Sequence, residues 1–372
     1  MTNRPTVIVV ANSVRALAAS AIRAGFRTLA IDVFGDSDTR EMCPSAIKLE
    51  GGLKSGLTLD KVASAVKDSV AAYNPIGLVY GSGFEHQPET IAAISRITRI
   101  IGNEAETLER AKDPLGLARL CAKVGVSHPP IAFEPPKEPD HWLVKRRGGA
   151  GGAHISAVTP GAPASANCYF QRRVTGRNIS ALFVANGKTA EMIGLSVQWT
   201  SPTPDSPFRY GGAAGPVDIG DADAGKIARS ISRVTSELGL VGLNSADFLV
   251  SSDAAWLIEI NPRPGATLDV FETEDGELFA HHVAACEGRS STAPSNLAFK
   301  AAEVVYAPRD LMWLGGGTWP DWTADRPAPG TRIAAGDPLC TILASGATVD
   351  LARSCAAKRA QEILAFAEGP TP

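Results

Sequence analysis

The stretch ADFLVSSDAAWLIEINPRPG, residues 246–265, constrains the fold more than any other part of the sequence. It consists of two short apolar runs joined by a polar turn, which predicts a β-hairpin. Two acids stand at positions where apolar residues would be expected. A turn centred on Asp253 opposes residues whose numbers sum to 506. The predicted pairs are Val250 with Trp256, Leu249 with Leu257, and Asp247 with Glu259.

The opposition of Asp247 and Glu259 indicates that a cation lies between them. Like charges directly opposite on a sheet repel, at a cost of about 0.2–1 kcal/mol. Asn261 shares a face with Glu259, because side chains two apart on a strand point the same way. Three oxygen donors suit Mg²⁺, with Mn²⁺ as a possible substitute. We therefore predict a metal site here; the alternative is an exposed hairpin whose acids face solvent.

Bulk properties exclude several protein classes. With 372 residues the chain predicts two or three domains, and 44% hydrophobic with 20% charged residues is typical of globular proteins. A net charge of −3 without a basic cluster argues against nucleic-acid or anionic membrane partners. The six cysteines form no C-x-x-C pair, so neither a zinc site nor a disulfide framework is indicated. Without a signal peptide or a spanning segment, a cytoplasmic location is expected.

The first hundred residues have the pattern of an open parallel sheet. TVIVVA at 6–11 and TLAIDVF at 28–34 are typical of buried strands on either side of a helix. The intervening turn, ANSVRA, lacks the glycines of a dinucleotide-binding turn, so residues 1–104 predict a Rossmann-like domain that does not bind NAD. Ligands of such sheets collect at the carboxyl ends of strands. The candidate substrate-binding residues there are Ser13, Arg15 and Glu85.

Residues 105–290 predict a second unit, with a lid subdomain at about 105–170. Asp113 and Pro114 mark the start of a helix that ends at Gly125, which places Lys112 at the helix entrance. The strand WLVKRR brings Lys145 directly before the loop GGAGGAH. Closely spaced turns in residues 291–372 predict a small β-rich cap closed by a terminal helix.

The order of these parts resembles the ATP-grasp superfamily: a lysine before a helix, a lysine at a strand end, a glycine-rich loop, a polar hinge, then Asp and Glu-x-Asn. EINPR at 259–263 is similar to the branch related to biotin carboxylase, and GRNISALFVANG at 176–187 resembles a group of predicted ATP-dependent carboligases. The resemblance implies mixed α/β and α+β architecture, with a Rossmann-like N-terminal domain, a two-subdomain ATP-grasp core and a small C-terminal cap. Homodimers occur in the superfamily, and this chain is compatible with one.

The resemblance also implies ATP as cofactor and assigns its contacts. The phosphates would meet Lys112, Lys145, Gly148, Gly149, Gly151 and Gly152. The adenine edge would meet backbone groups of Gln171, Arg172, Arg173 and Val174. Arg263 would clamp the transferring phosphoryl group with Asp269 holding it, and a loop at 201–216 containing Arg209 would close over the reaction.

Plainer interpretations of these residues stay open. The glycine-rich loop is also compatible with a plain flexible connection, and Lys112 with a solvated lysine at a helix end. The two hinge arginines are also typical of a surface strand, and Arg263 could form a structural salt bridge. Many relatives carry a glutamate after the hinge that faces the ribose, whereas Arg177 and Asn178 follow Gly176 here. The ribose contact is therefore not assigned.

The function implied is a ligase that joins a small-molecule carboxylate to an amine through an acylphosphate and releases ADP and phosphate. Addition of glutamate to a one-carbon carrier coenzyme of pterin or furan type is the hypothesis for the pathway. Two alternatives remain: a biotin-carboxylase-like enzyme that uses carboxyphosphate, and a nucleotide-binding protein without turnover. Catalysis by the ligase would depend on Arg263, Lys145 and Lys112.

Overall fold

The structure is a computed structural model that describes residues 4–159, 166–289, 294, 297–315 and 318–368. Its N-terminal part is a four-stranded parallel sheet in the order β3-β2-β1-β4. Both faces are buried, which explains the continuous apolar runs of its strands. The elements are β1 (Thr6–Val10), α1 (Arg15–Arg23), β2 (Arg27–Asp32), α2 (Ser37–Met42), β3 (Ser45–Lys48), α3 (Gly52–Ser55), α4 (Leu59–Tyr73), β4 (Leu78–Tyr80) and α5 (Pro88–Ile94).

Two helices connect this sheet to the rest of the chain: α6 (Ala105–Lys112) and α7 (Pro114–Val124). Asp113 caps α7 as predicted, since its carboxylate accepts hydrogen bonds from the backbone N–H groups of Leu115 and Gly116. Gly125 ends the helix in a left-handed conformation, with φ +67°. Lys112 is consequently the last residue of α6, at the corner between α6 and α7.

A small antiparallel sheet forms a lid in the order β5-β8-β6-β7. Its strands are β5 (Ile131–Ala132), β6 (Trp142–Arg146), β7 (Ile155–Ala157) and β8 (Cys168–Arg172). The glycine-rich loop connects β6 to β7, so it lies at one end of the lid. The lid strands continue to residue 172, slightly beyond the lid boundary expected from the sequence.

An eight-stranded sheet forms the centre, in the order β13-β12-β9-β10-β11-β14-β18-β16. A separate two-stranded ribbon joins β15 to β17. The strands are β9 (Arg177–Asn186), β10 (Ala190–Thr200), β11 (Tyr210–Gly215), β12 (Val241–Val250), β13 (Ala255–Asn261), β14 (Lys300–Tyr306), β15 (Leu311–Trp313), β16 (Thr323–Ala324), β17 (Thr331–Ile333) and β18 (Pro338–Ser345). The helices are α8 (Asp221–Leu238), α9 (Leu268–Phe271), α10 (Glu277–Cys286) and α11 (Val349–Glu368).

The central sheet is held by helices on its faces. Helix α8 buries Ile227, Ile231 and Val234, spaced three or four residues apart, against β10, β12 and β13. Helix α11 packs on β14 and β18 at the other end of the sheet. No described helix combines the length and apolar character needed to cross a membrane.

The predicted mixed α/β and α+β class is confirmed. Strands β14, β16 and β18 come from the segment predicted as a separate cap, yet they extend the central sheet through the pairing of β11 with β14. The division of the chain at residues 104 and 290 stays a prediction.

Candidate functional site

A cleft of about 830 Å³ lies between the N-terminal sheet, the lid and the central sheet. Its volume falls within the ~300–1,000 Å³ range of small-molecule sites. The carboxyl ends of β1 and β4 reach it, as expected for an open parallel sheet. The predicted site residues that line it are Ser13, Arg15, Lys145, Gly151, Gly152, Gln171, Arg172, Arg173, Val174, Asp247, Glu259, Asn261 and Arg263.

The hairpin of β12 and β13 places the two acids opposite each other, as the sequence predicted. The predicted pairing towards its tip is wrong, because a β-bulge at Ile258 shifts the register by one residue. Leu249 consequently faces Trp256 rather than Leu257, and Val250 faces Ala255. The extra residue leaves the pairing of Asp247 with Glu259 unchanged. It shifts every pair between these two residues and the turn of the hairpin.

Asp247, Glu259 and Asn261 form one polar cluster. The Asn261 amide nitrogen donates to Oδ2 of Asp247 over 3.2 Å, and the Gln198 amide donates more weakly to Oδ1 at 3.4 Å. Burial, followed by the charge of Glu259, raises the pKa of Asp247. Burial acts in the same direction on Glu259, but the positive charge of Lys112 outweighs it and lowers the pKa of Glu259.

Lys112 lies against this cluster. Its ammonium nitrogen is 2.5 Å from Oε1 of Glu259 and 2.7 Å from Oδ1 of Asn261, and only 7% of its side chain is exposed. The solvated helix-end interpretation is therefore wrong. The lysine balances one of two closely spaced buried carboxylates.

The cluster fits a hard divalent cation in its donor chemistry. It offers two carboxylates and one carboxamide oxygen at the wall of a cleft, and Mg²⁺ takes few protein ligands and completes its octahedron with water and phosphate oxygens. Within the described ranges, no group of three or more His, Cys, Asp or Glu side chains is arranged to hold a metal ion. A cation at this site would thus depend on Asn261 and on oxygens of a ligand.

Lys145 reaches the cleft from the end of β6 and is 96% buried. Burial lowers its pKa, and the charges of Glu259 and Asp247 oppose that effect. In the following loop Gly152 has φ +77°, and a Cβ there would lie 1.8 Å from the carbonyl oxygen of Phe208. Only glycine permits this contact, so the loop docks on the segment before β11.

The four loop glycines divide between two cavities. Gly151 and Gly152 line the large cleft, whereas Gly148 and Gly149 line a cavity of about 30 Å³ behind it. Gly148 has φ +64°, and a Cβ there would lie 2.5 Å from Cα of His86. The loop is therefore packed between the N-terminal domain and the central part of the chain. A plain flexible connection would not be packed in this way.

The predicted hinge forms the opposite end of the cleft. The backbone N–H groups of Arg172 and Arg173 donate to carbonyl oxygens of Pro130 and His141, each over 2.8 Å. They are therefore engaged within the lid. Asn178 also lines the cleft, two residues after Gly176.

Arg263 and Glu85 form a buried ion pair, with Nη2 and Nε of the arginine 2.7 and 2.9 Å from Oε1 of the acid. Burial opposes ionisation of Glu85, but Arg263 lowers its pKa to about 2. The predicted partner, Asp269, is wrong: its two oxygens each lie 2.6 Å from Arg15. Glu85 is thus placed behind Arg263, and it does not line the cleft.

Arg15 connects three parts of the chain at the base of the cleft. Besides Asp269 in the central part, it contacts Asp325 of the C-terminal part at 3.0 and 3.2 Å, and Asp325 also accepts from the Ser13 hydroxyl at 2.9 Å. Burial opposes the ionisation of Asp325, but Arg15 lowers its pKa. Nothing in the sequence near Asp325 indicated this role.

Arg209 does not reach the cleft, so its predicted substrate contact is not supported by its position. Its guanidinium lies 3.6 Å from the ring centre of Tyr306 and donates to carbonyl oxygens of Ser201 and Gly336. Its neighbours Phe208 and Tyr210 line the cleft instead. Both lie in the 201–216 loop that was predicted to close over the reaction. Sequence reasoning missed the cleft residues Ser180, Gln198, Thr267 and His154.

Comparison with known proteins identifies the middle of the chain. Residues 112–267 match the model of the ATP-grasp domain. This segment is an ATP-grasp domain. Both lysines, the glycine-rich loop, the hinge and the Asp247 hairpin fall inside it or at its first residue. None of the curated proteins compared with the chain matches it.

Solved structures share the fold over nearly the whole chain. Biotin carboxylase from Campylobacter jejuni in its β,γ-ATP complex has 12% identity, covers 98% of this chain and 95% of its own, and has a TM-score of 0.73. Phosphoribosylamine–glycine ligase from Thermotoga maritima has 16% identity, coverage of 97% and 96%, and a TM-score of 0.68. The biotin carboxylase domain dimer of Hydrogenobacter thermophilus 2-oxoglutarate carboxylase, with MgADP, ADP and bicarbonate, has 13% identity, coverage of 96% and 89%, and a TM-score of 0.66. At such identities the likeness establishes the fold.

Proposed function

We propose that the protein is an ADP-forming ligase that uses ATP to join a carboxylate to an amine. The observation that carries the proposal is that one cleft brings together the Asp247–Glu259–Asn261 cluster, buried Lys145, part of the glycine-rich loop and the hinge. These are the parts needed to hold a nucleotide triphosphate with its phosphates towards the metal cluster. The structural neighbours include a biotin carboxylase in an ATP complex, a biotin carboxylase domain in an MgADP complex and a ligase, which supports this assignment.

The chain's residues act chiefly by position and charge. Lys145 and Lys112 present ammonium groups within the same buried region, and the glycine-rich loop offers backbone amides beside Lys145. Arg263, fixed by Glu85, presents its remaining N–H groups at the wall of the cleft. A magnesium ion bound at the cluster would neutralise charge on the transferring phosphoryl group. In phosphoryl transfer such preorganised charges account for most of the catalysis.

The proposed reaction has two steps. An oxygen of the substrate carboxylate attacks the γ-phosphorus, the bond to the bridging oxygen breaks, and ADP leaves. The amine nitrogen then attacks the acyl carbon, inorganic phosphate leaves and the nitrogen loses one proton. Water must be kept away from the acylphosphate between the steps. The docking of the loop at Gly152 on Phe208 supports a closed site during that interval.

The acid and amine bind, in this proposal, at the end of the cleft lined by Ser13, Arg15 and Thr267. Arg15 is already bound by two aspartates, so Ser13 and Thr267 are better placed for direct contact with substrate. The hydroxyl of Thr267 is buried without a hydrogen-bond partner among the described residues, which supports that role. Glutamate addition to a pterin or furan coenzyme is the specific form of the reaction that we propose to test first.

A product screen tests the function. Purified protein, ATP and magnesium are incubated with paired acids and amines, glutamate among them, and ADP release is measured together with product mass. A new amide whose formation depends on ATP and disappears in Glu259→Gln would support the ligase. ADP release that requires bicarbonate and biotin would favour a carboxylase, and MgADP binding without any turnover would favour a nucleotide-binding protein. An identical product profile for wild type and Glu259→Gln would contradict the proposal.

A further inference from the structure

His154 is the last residue of the glycine-rich segment GGAGGAH, and it has no role in the proposed reaction steps. Its imidazole lines both the large cleft and the 30 Å³ cavity behind the loop. The Nδ1 atom is buried and has no hydrogen-bond partner among the described residues, although the carbonyl of Ala150 approaches the ring. Buried polar atoms in proteins are nearly always hydrogen-bonded, so Nδ1 has capacity for a partner that the described residues do not supply.

The ring is held in place by the loop itself. A Cβ on Gly149 would lie 2.1 Å from Cγ of His154, so the imidazole packs directly on the glycine backbone. The carbonyl oxygen of His154 accepts from the N–H of Arg146 at 3.1 Å, and the carbonyl of Gly151 accepts from the N–H of Tyr210 at 2.9 Å. The side chain is therefore positioned before any ligand arrives.

The surroundings of the ring suit an anion. Lys145, Lys112 and Glu259 line the small cavity with it, and Lys112 is paired with Glu259. Burial lowers the pKa of His154; the charge of Glu259 opposes this effect, and the charges of the two lysines add to it. A neutral imidazole carries one N–H donor. A neutral donor can hydrogen-bond a phosphate oxygen without adding repulsion to the lysines.

We propose that His154 is a nucleotide-positioning residue, whose Nδ1 atom hydrogen-bonds a phosphate oxygen of the bound nucleotide. The proposal rests on the proposed function, which places the nucleotide phosphates at the glycine-rich loop. It explains why the loop carries a glycine at 149: any side chain there would displace the ring. It also gives the orphan nitrogen a partner in the ligand-bound state.

Calorimetric titration with MgADP tests the contact atom. An asparagine amide reaches the place of Nδ1, whereas a glutamine amide reaches that of Nε2. We expect His154→Leu and His154→Gln to bind MgADP about 10-fold more weakly than wild type, the loss of one charge-assisted hydrogen bond. His154→Asn should stay within about 3-fold of wild type. Rescue by asparagine but not by glutamine is an outcome that a merely structural histidine would not produce.

A second set of variants tests whether the ring acts from its observed position. Gly149→Ala should push the imidazole away and weaken MgADP binding as much as His154→Leu does, with no further loss when the two are combined. Gly151→Ala is the control, because space around its Cβ is open. Its backbone strain, from φ +66°, should have the same effect with and without His154.

The outcomes separate the two proposals. Wild-type protein that fails to bind MgADP would overturn the proposed function and this inference with it. Wild-type protein that binds MgADP, with equal affinity in folded His154→Leu, would overturn the inference alone. Additive losses for Gly149→Ala and His154→Leu would also overturn it, because the glycine would then act on nucleotide binding independently of the ring.

Discussion

The ammonium nitrogen of Lys112 lies 2.5 Å from Oε1 of Glu259 and 2.7 Å from Oδ1 of Asn261. A lysine thus contacts the oxygens that we assign to a metal ion. An ammonium group and a divalent cation cannot occupy the same oxygens at short distance, so one must move when the other binds. Movement of Lys112 towards the nucleotide phosphates would give it the role that the ATP-grasp resemblance implies.

Lys112→Met should therefore bind Mn²⁺ more tightly than wild type in the absence of nucleotide. We expect a gain of about 10-fold or more, since one positive charge is removed from a low-dielectric site. Titration followed by electron paramagnetic resonance of free Mn²⁺ measures it. Lys145→Met is the matched control, because Lys145 is buried nearby and donates no hydrogen bond to the cluster oxygens within the described chain. Equal Mn²⁺ affinity for Lys112→Met and wild type would contradict the prediction.

Asp247→Asn should stabilise the protein while weakening its metal site. The pKa of Asp247 is raised by burial and by Glu259, so above its unfolded value of about 4 its ionisation works against folding. We expect unfolding in urea at pH 7 to cost roughly 1 kcal/mol more in the variant, and Mn²⁺ affinity in the presence of ADP to fall at least about 10-fold. Glu259→Gln should lose Mn²⁺ affinity without the stability gain, because it also loses its bond to Lys112. A destabilised Asp247→Asn would argue against repulsion between the acids.

Arg15→Met should be strongly destabilising. It would leave Asp269 and Asp325 buried near each other without their shared counter-charge. Removing one partner of a buried ion pair costs about 3–5 kcal/mol, which urea unfolding would detect. Lys123→Met, which breaks a surface pair with Glu237, should cost about 1 kcal/mol or less. Similar losses for the two variants would show that Arg15 does not hold the three parts of the chain together.

Asp36→Asn should make stability less dependent on pH. One carboxylate oxygen of Asp36 is buried without a partner among the described residues, and burial, with Asp325 and other acids, raises its pKa to about 9. The unfolded chain releases this proton near pH 4, so wild-type stability falls as pH rises from about 4 to about 9. The free energy of unfolding of Asp36→Asn should exceed that of wild type by a margin that widens between pH 5 and pH 8.5.

Asp38→Asn provides the control for that measurement. The Asp38 carboxylate accepts hydrogen bonds from the backbone N–H groups of Asp325 and Arg326. Burial raises the pKa of Asp38 too. Its replacement removes an acceptor and should destabilise the protein, by a margin that narrows as pH rises. A constant gap between wild type and Asp36→Asn across the pH range would show that Asp36 is not held neutral in the folded state.

The parts of the site that the sequence predicted are those governed by local geometry. The opposition of Asp247 and Glu259 follows from the two-residue period of a strand, and the cap at Asp113 follows from hydrogen bonding within one turn. The bulge at Ile258 was not predictable, because an extra residue in a strand leaves no mark in a short apolar pattern.

Long-range partners could not be read from spacing. Glu85 and Arg263 are 178 residues apart, and Arg15 and Asp325 are 310 apart. Asp269 is close to Arg263 in the sequence and was therefore the partner predicted for it. In the structure Asp269 forms its ion pair with Arg15 instead. Arg209 was misassigned for a similar reason, since stacking on Tyr306 of another strand turns it away from the cleft.

The pairing of β11 with β14 has a consequence for any attempt to study the first 290 residues in isolation. A fragment that stops at residue 290 would lose β14 and leave the backbone groups of Gly212–Gly215 without their neighbouring strand. An uncovered strand flanked by small residues is a template for pairing between molecules. Such a fragment should self-associate. Strand β14 therefore protects the sheet that carries the site from pairing with another molecule.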